Sequence, residues 1–127
     1  MKEGAIMVFA EFVQKALAQD NRNHFGTYDG SLNEVPKSMV PLYREYNPLD
    51  VEINSDQFGT IRFIPADELS EARAEFSFIQ GAFIFARSNG DPIFLYKEKV
   101  YVCPHGVTAP QWELLADELE QFFSAIL

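Results

Sequence analysis

The fold is decided by residues 83–106, which read FIFARSNGDPIFLYKEKVYVCPHG. Three short runs of aromatic and β-branched residues are separated there by two polar breaks. Asn89-Gly90 suits the two left-handed positions of a type I′ turn, whose twist matches that of paired antiparallel strands. Lys97-Glu98-Lys99 forms the second break. The stretch predicts a three-stranded antiparallel meander, and no nucleophile, base or metal ligand stands out within it.

Amphipathic helices are predicted on both sides of this meander. Residues 5–19 carry apolar side chains at helical spacing. Near the other end, Thr108 followed three residues later by Gln111 is a capping-box pattern, with Pro110 in the first turn. The apolar stripe that follows it comprises Trp112, Leu115, Ala116, Leu119, Phe122, Phe123 and Ile126. We therefore expect a helix from about residue 108 to the end of the sequence, packed on the sheet.

The middle of the chain is predicted to hold shorter elements. Residues 20–30 are rich in turn formers and predict a loop. A short helix after Pro41 should stop before Pro48, because the residue that precedes a proline is disfavoured in the α region. Val51 to Ile53 and Thr60 to Ile64 predict two strands, and Pro65 opens a short acidic helix over 66–74. Hairpin-linked strands with helices grouped around them indicate an α+β domain with a mainly antiparallel sheet, spanning residues 1–127 as a single unit.

Composition supports a folded, cytoplasmic protein. The 127 residues are one domain's worth, and the apolar fraction of 47% with twelve phenylalanines predicts a substantial core. Cys103 is the one cysteine, so no intramolecular disulfide can form, which fits a reducing compartment. No run of apolar residues resembles a secretory segment or approaches the length of a membrane span, so we expect a soluble chain.

The charge balance bears on the kind of partner. The formal net charge is −9, from 19 acidic and 10 basic residues. A field of this sign repels nucleic-acid phosphates and anionic lipid, which argues against both as partners, and it attracts a basic protein. The competing interpretation is that the acidity serves solubility alone.

Candidate catalytic and metal sites are weak. Cys103 and His105 are two residues apart on an extended segment, which separates their side chains by roughly 7 Å, too far for direct proton transfer. Zinc needs three or four ligands, and only the distant His24 could join this pair. No glycine-rich loop that could hold a phosphate is present. We expect a non-enzymatic chain without metal or cofactor, in which Cys103 is a small core residue.

The predicted acidic helix carries the one unusual concentration of charge. Asp67, Glu68, Glu71 and Glu75 occupy about two turns, with Arg73 alone on the helix to balance them. Like charges four residues apart destabilise a helix, so their retention suggests a use in binding. Asp50, Glu52 and Asp56 precede the adjoining strand. These seven residues are the predicted partner-binding set, and an ordinary solvated helix face is the alternative.

The assembled pattern resembles the SUKH superfamily. The residues that carry the resemblance are the opening amphipathic helix, Val35-Pro36 with Leu42-Tyr43, Ile61 to Leu69, Ser88 to Leu95 with Val100-Tyr101, and Leu115-Ala116 to Phe122-Phe123. The family comprises fungal cell-wall-assembly-regulator domains and many bacterial immunity proteins of polymorphic toxin systems. One departure is Asn47-Pro48-Leu49-Asp50, where members commonly carry an Asn-Gly turn. The matching residues belong to the scaffold, so the resemblance implies a role and a fold but no site.

Three functions follow as hypotheses. In the first, which the resemblance implies, the chain is a cytoplasmic immunity protein that occludes the basic surface of a cognate toxin domain, often a nuclease in this family. In the second, it is a general intracellular interaction or regulatory module of the same fold with no toxin partner. In the third, it is an enzyme that uses Cys103 and His105. The sequence leaves the class of toxin and the oligomeric state open.

Overall fold

The computed structural model describes residues 3–104 and 111–127, with the side chains of residues 3–6 excepted. Its helices are α1 Glu3–Gln19, α2 Val40–Tyr46, α3 Leu69–Glu75 and α4 Leu119–Ala125, and a 3₁₀ turn, Ala66–Glu68, precedes α3. Its strands are β1 His24–Gly26, β2 Asn47–Asp50, β3 Glu52–Ser55, β4 Gly59–Phe63, β5 Phe83–Ser88, β6 Asp91–Tyr96, β7 Lys99–Val102 and β8 Glu113–Ala116.

Six of these strands form the main sheet. They are arranged in sequence order from β3 to β8, and every neighbouring pair is antiparallel. β1 and β2 form a separate two-stranded antiparallel ribbon. The predicted α+β class with a mainly antiparallel sheet and helices near both ends of the chain is confirmed.

The meander lies where the sequence predicts it. β5, β6 and β7 are joined by two tight turns, and Asn89 and Gly90 take positive φ values of 52° and 86°. The second turn also uses two left-handed residues, Lys97 at φ 48° and Glu98 at φ 68°, although neither is a glycine. Lys99, which the sequence predicts to lie in the break, is the first residue of β7.

The long C-terminal helix is a wrong prediction. Residues 113–116 form β8, which pairs with β7, and the helix begins only at Leu119. A strand here satisfies backbone groups of β7 that a helix would leave unpaired. Leu114 is 48% exposed, whereas Leu115 and Ala116 both pack toward the main core, because a register shift in the β7–β8 pairing interrupts the alternation of the strand. The predicted cap at Thr108 and the proline in its first turn lie outside the described residues. Instead, Gln121 Oε1 accepts a hydrogen bond from the Asp117 N–H at the start of α4.

The predictions for residues 20–54 are partly confirmed. The predicted loop over 20–30 contains β1, which pairs across to β2. The helix after Pro41 does end at Tyr46, and the chain then continues as β2, where Pro48 is tolerated because the ribbon is narrow and has free edges. Ile53 is buried between exposed Glu52 and Asn54, as the predicted alternation requires.

The main core fills one side of the sheet, called here the first face. Phenylalanines from α1, α4 and the sheet meet there, with ring centroids 5.0 Å apart for Phe12 and Phe63 and 5.1 Å apart for Phe9 and Phe123. Phe85 and Phe122 complete this aromatic centre and are fully buried. The opposite side, the second face, has a smaller core on which α3 lies, comprising Ile64, Ala72, Phe76, Ile79, Ile84 and Phe94.

Side-chain amides cover the outer edge of β3, which is one end of the main sheet. At β3, the side chain of Gln19 donates to the Asn54 carbonyl at 2.8 Å and accepts from the Asn54 N–H at 2.7 Å. Asn23 Oδ1 accepts from the Glu52 N–H at 2.8 Å. Side-chain amides from the end of α1 and from the segment after it thus occupy the outer edge of β3 and block pairing with another strand.

Candidate partner-binding surface

All seven predicted binding residues are exposed, but they do not form one patch. Glu68, Glu71 and Glu75 lie on one side of the 3₁₀ turn and α3, at helical spacing, and line a groove against the sheet. Across this groove, Arg62 of β4 and Arg87 of β5 project from the second face. These five residues define the acidic groove.

Two further predicted residues reach this groove through Arg62. The guanidinium of Arg62 binds the carboxylate of Asp50 at 3.0 Å. Glu52 is the register partner of Arg62 across β3 and β4, so its side chain lies on the same face of the sheet. Asp50 and Glu52 therefore extend the acidic groove toward the edge of the sheet.

The remaining two predicted residues lie apart from it. Asp67 is exposed on the 3₁₀ turn and does not line the groove. Asp56 lies in the β3–β4 turn, at the opposite end of that hairpin from Glu52. The sequence could not separate these residues from the others, because proximity along the chain does not give the direction in which each side chain points.

The cation that pairs with the acidic residues of α3 is Arg87 and not Arg73, which the sequence suggested. Arg73 points away from the acidic groove and pairs with Glu34 at 2.7 Å. Glu75 instead receives both arms of Arg87, with N–O distances of 2.7 and 3.0 Å. This hydrogen bonding lowers the pKa of the Glu75 carboxyl, and burial opposes it only in part. Glu75, together with a smaller contribution from the charge of Glu68, raises the pKa of Arg87.

Glu68 and Glu71 are the carboxylates left available in the acidic groove. Among the described residues, neither forms an ion pair, whereas Glu75 and Asp50 do. Both are exposed. A cation brought by another molecule would find these two carboxylates without displacing an existing pair.

The grooves that flank α3 are too small for a typical small-molecule site. The acidic groove has a volume of about 90 Å³, and the groove on the other side of α3, lined by Leu69, Ser70 and Arg73 among others, has about 210 Å³. Sites for drug-sized ligands usually measure roughly 300–1,000 Å³. The geometry here suits contact with a protein surface better than enclosure of a substrate.

The described residues around Cys103 do not activate its thiol as a nucleophile. Its thiol is half-buried, and burial, with a smaller contribution from the charge of Asp91, raises the pKa of this thiol. An activated cysteine needs the opposite shift. His105, the proposed base, lies outside the described residues, and His24 is exposed on β1. Within residues 3–104 and 111–127, no three side chains of His, Cys, Asp or Glu are grouped so as to hold a metal ion.

A second feature of this face was missed by the sequence analysis. Phe94 and Tyr96 of β6, Tyr101 of β7 and Trp112 before β8 form a contiguous aromatic cluster on the second face. The prediction that Trp112 belongs to the apolar stripe of a C-terminal helix conceals this cluster. The signal that could have revealed it is the spacing of Phe94, Tyr96 and Tyr101, which places them on one side of the predicted meander.

No helix among the described residues is both long enough and apolar enough to cross a bilayer. Comparisons of the chain with protein-family models, with curated proteins and with solved structures find no match. The resemblance to the SUKH superfamily therefore stays a prediction carried by the sequence motifs.

Proposed function

We propose that this chain is a non-enzymatic cytoplasmic immunity protein, which binds a basic toxin domain and covers its working surface. The observation that carries the proposal is the acidic groove with two exposed carboxylates, Glu68 and Glu71, that form no ion pair within the part of the chain that the structure describes. The SUKH resemblance supplies the biological role, and the observed α+β architecture is compatible with that family. No cofactor is required, because the mechanism is occlusion.

Long-range charge would bring the partners together. The net charge of −9 steers a basic domain toward the chain and raises the association rate at low salt. Glu68 and Glu71 would then pair with lysine or arginine side chains of the partner. A nuclease toxin binds the phosphates of its substrate with lysine and arginine side chains. Carboxylates of this chain that pair with those side chains would therefore exclude the substrate.

The test is protection of cells by the chain against a toxin. Where a secreted protein with a basic C-terminal domain is encoded next to this chain, that domain is the partner to try first. Cells that express this domain should survive only when the chain is co-expressed, and the two proteins should co-purify. We expect Glu68→Lys with Glu71→Lys to weaken binding at least tenfold, because two attractive contacts become repulsive.

A matched control separates local charge from total charge. Glu11→Lys with Glu45→Lys reverses two exposed carboxylates elsewhere, so both double variants change the formal net charge from −9 by four, to −5. The control variant should bind almost as tightly as the parent chain. Equal weakening by both variants would reject the acidic groove as the contact. Partner binding that survives both variants, without protection, would favour the general interaction module instead.

A further inference from the structure

The aromatic cluster is tightly packed and lies partly open to solvent. Trp112 is the common member, with ring centroids 5.0 Å from Phe94, 5.0 Å from Tyr96 and 5.5 Å from Tyr101. Phe94 is fully buried beneath the other three, which are half-buried. Tyrosine and tryptophan at this level of exposure are the residue types enriched at binding hot spots.

One exposed apolar side chain, Leu114, borders the cluster, and a second, Phe78, contacts the small core. Leu114 is the register partner of Tyr101 and is 48% exposed. Phe78 is 70% exposed and stands edge-on to Phe76, a member of the same small core. Large apolar side chains beside half-buried aromatic rings make a surface that loses water favourably when a partner covers it.

Cations already lie on ring faces at two points of this face. Lys97 Nζ is 5.4 Å from the ring centroid of Tyr96, and the Arg87 guanidinium carbon is 4.9 Å from the ring centroid of Phe76. Aromatic faces carry negative potential that attracts cations at such distances. Because Arg87 also belongs to the acidic groove, the groove and the small core that holds the aromatic cluster adjoin.

We propose that the aromatic cluster is a second binding site for the same partner, and that it receives arginine or lysine side chains on the rings of Tyr101 and Trp112. The inference rests on the proposed function, since it assumes a basic partner. Charge complementarity selects this occupant: the chain's net charge is −9, and the acidic groove lies on the same face of the sheet. The carboxylates would steer the partner and the rings would hold it, in an environment where water is excluded.

Trp112 is the one tryptophan in the chain, so it can be labelled selectively. Biosynthetic incorporation of 5-fluorotryptophan places a single fluorine at this position, reports contact through its ¹⁹F resonance and makes the ring face less attractive to cations. The probe is a nona-arginine peptide, with a nona-citrulline peptide as its neutral control. We expect the ¹⁹F resonance to shift saturably with nona-arginine alone. We also expect the fluorinated chain to bind this peptide about twofold to fivefold more weakly than the unlabelled chain.

The outcomes separate this inference from the proposed function. In the Glu68→Lys, Glu71→Lys variant, nona-arginine should bind more weakly but still shift the ¹⁹F resonance. Binding that leaves this resonance unmoved, an equal shift with nona-citrulline, or no binding at all would overturn the aromatic site. Absence of cell protection, together with a normal ¹⁹F shift, would instead reject the immunity role and leave the aromatic site standing.

Discussion

Tyr43 is unusual in the main core because its side chain carries a hydroxyl group. Its ring is fully buried near Phe83, and its hydroxyl has no hydrogen-bond partner among the described residues. Burial also raises the pKa of this hydroxyl, so it stays protonated. An unsatisfied buried polar group costs free energy that an apolar side chain of the same shape avoids.

Tyr43→Phe should therefore increase stability. We expect the free energy of unfolding to rise by about 1 kcal/mol, as measured by urea denaturation. The matched control is Tyr46→Phe, at a half-buried position in the same helix, where little change is expected. A loss of stability in Tyr43→Phe would show that the hydroxyl has a partner after all.

The ion pair between Glu75 and Arg87 allows a prediction about the pKa of Glu75. Because the pKa of Glu75 is lowered in the folded state, its contribution to stability is present above its unfolded pKa and is lost as pH falls through the folded pKa. In Arg87→Gln, the Glu75 titration should return upward toward 4.5, the unperturbed value. Carboxyl NMR titration measures this change.

Asp20 supplies the internal reference for that titration. Its pKa is lowered to about 2 by hydrogen bonds from Arg22, which is remote in sequence from Arg87. Asp20 should titrate identically in both proteins. An unchanged Glu75 titration in Arg87→Gln would mean that the ion pair is not formed in solution.

At the scale of elements, the two turns of the meander differ in chemistry while sharing a conformation. Asn89-Gly90 is well suited to two left-handed positions, whereas Lys97-Glu98 adopts them against the preference of both residues. Left-handed backbone at a residue other than glycine costs on the order of 1 kcal/mol or more. The chain retains this cost at the turn that borders the aromatic cluster.

Replacing Lys97-Glu98 with Asn-Gly should stabilise the protein. We expect a gain of about 1 kcal/mol in the free energy of unfolding, after loss of the contact between Lys97 and Tyr96. Urea denaturation of the Lys97→Asn, Glu98→Gly variant measures it. The reciprocal change in the first turn, Asn89→Lys with Gly90→Glu, should destabilise. If both variants lost stability equally, the two turns would not share the type I′ geometry.

Local sequence patterns predicted most of the helices and strands. They failed where pairing with a distant segment determines the secondary structure. The meander, α1 and the short helix before Pro48 follow from turn residues, periodicity and proline, which act within a few residues. Residues 113–116 have apolar spacing compatible with a helix, yet they form a strand because β7 offers them hydrogen bonds. No periodicity within the segment itself contains that information.

In the acidic groove too, local patterns predicted some residues, and long-range strand pairing determined the others. The exposure of Glu68 and Glu71 follows from the amphipathic pattern of their helix. The cations that face them, Arg62 and Arg87, come from two strands that meet only through pairing of β4 with β5. The sequence therefore predicted the acidic side of the groove but not the basic side, and it assigned the balancing role to Arg73, which pairs elsewhere.

At the scale of the whole molecule, one sheet separates two cores of unequal size. Strands β5 and β6 contribute side chains to both: Phe85 and Ile93 enter the main core, while Ile84 and Phe94 enter the smaller one. Because adjacent residues of the same strands serve both cores, neither core can lose its packing without disturbing the backbone of the other. This arrangement couples the second face, and the binding sites proposed on it, to the stability of the main core.

The coupling predicts a single cooperative unfolding transition. Trp112 fluorescence reports the second face alone, since this is the one tryptophan, whereas far-UV circular dichroism reports the whole backbone. In urea, the two signals should give the same midpoint and the same slope, the signature of two-state unfolding. The buried amides of α1, on the first face, should exchange with the same global free energy. A Trp112 transition at lower urea than the backbone transition would show that the second face unfolds independently, and the chain would then fold as two units rather than one.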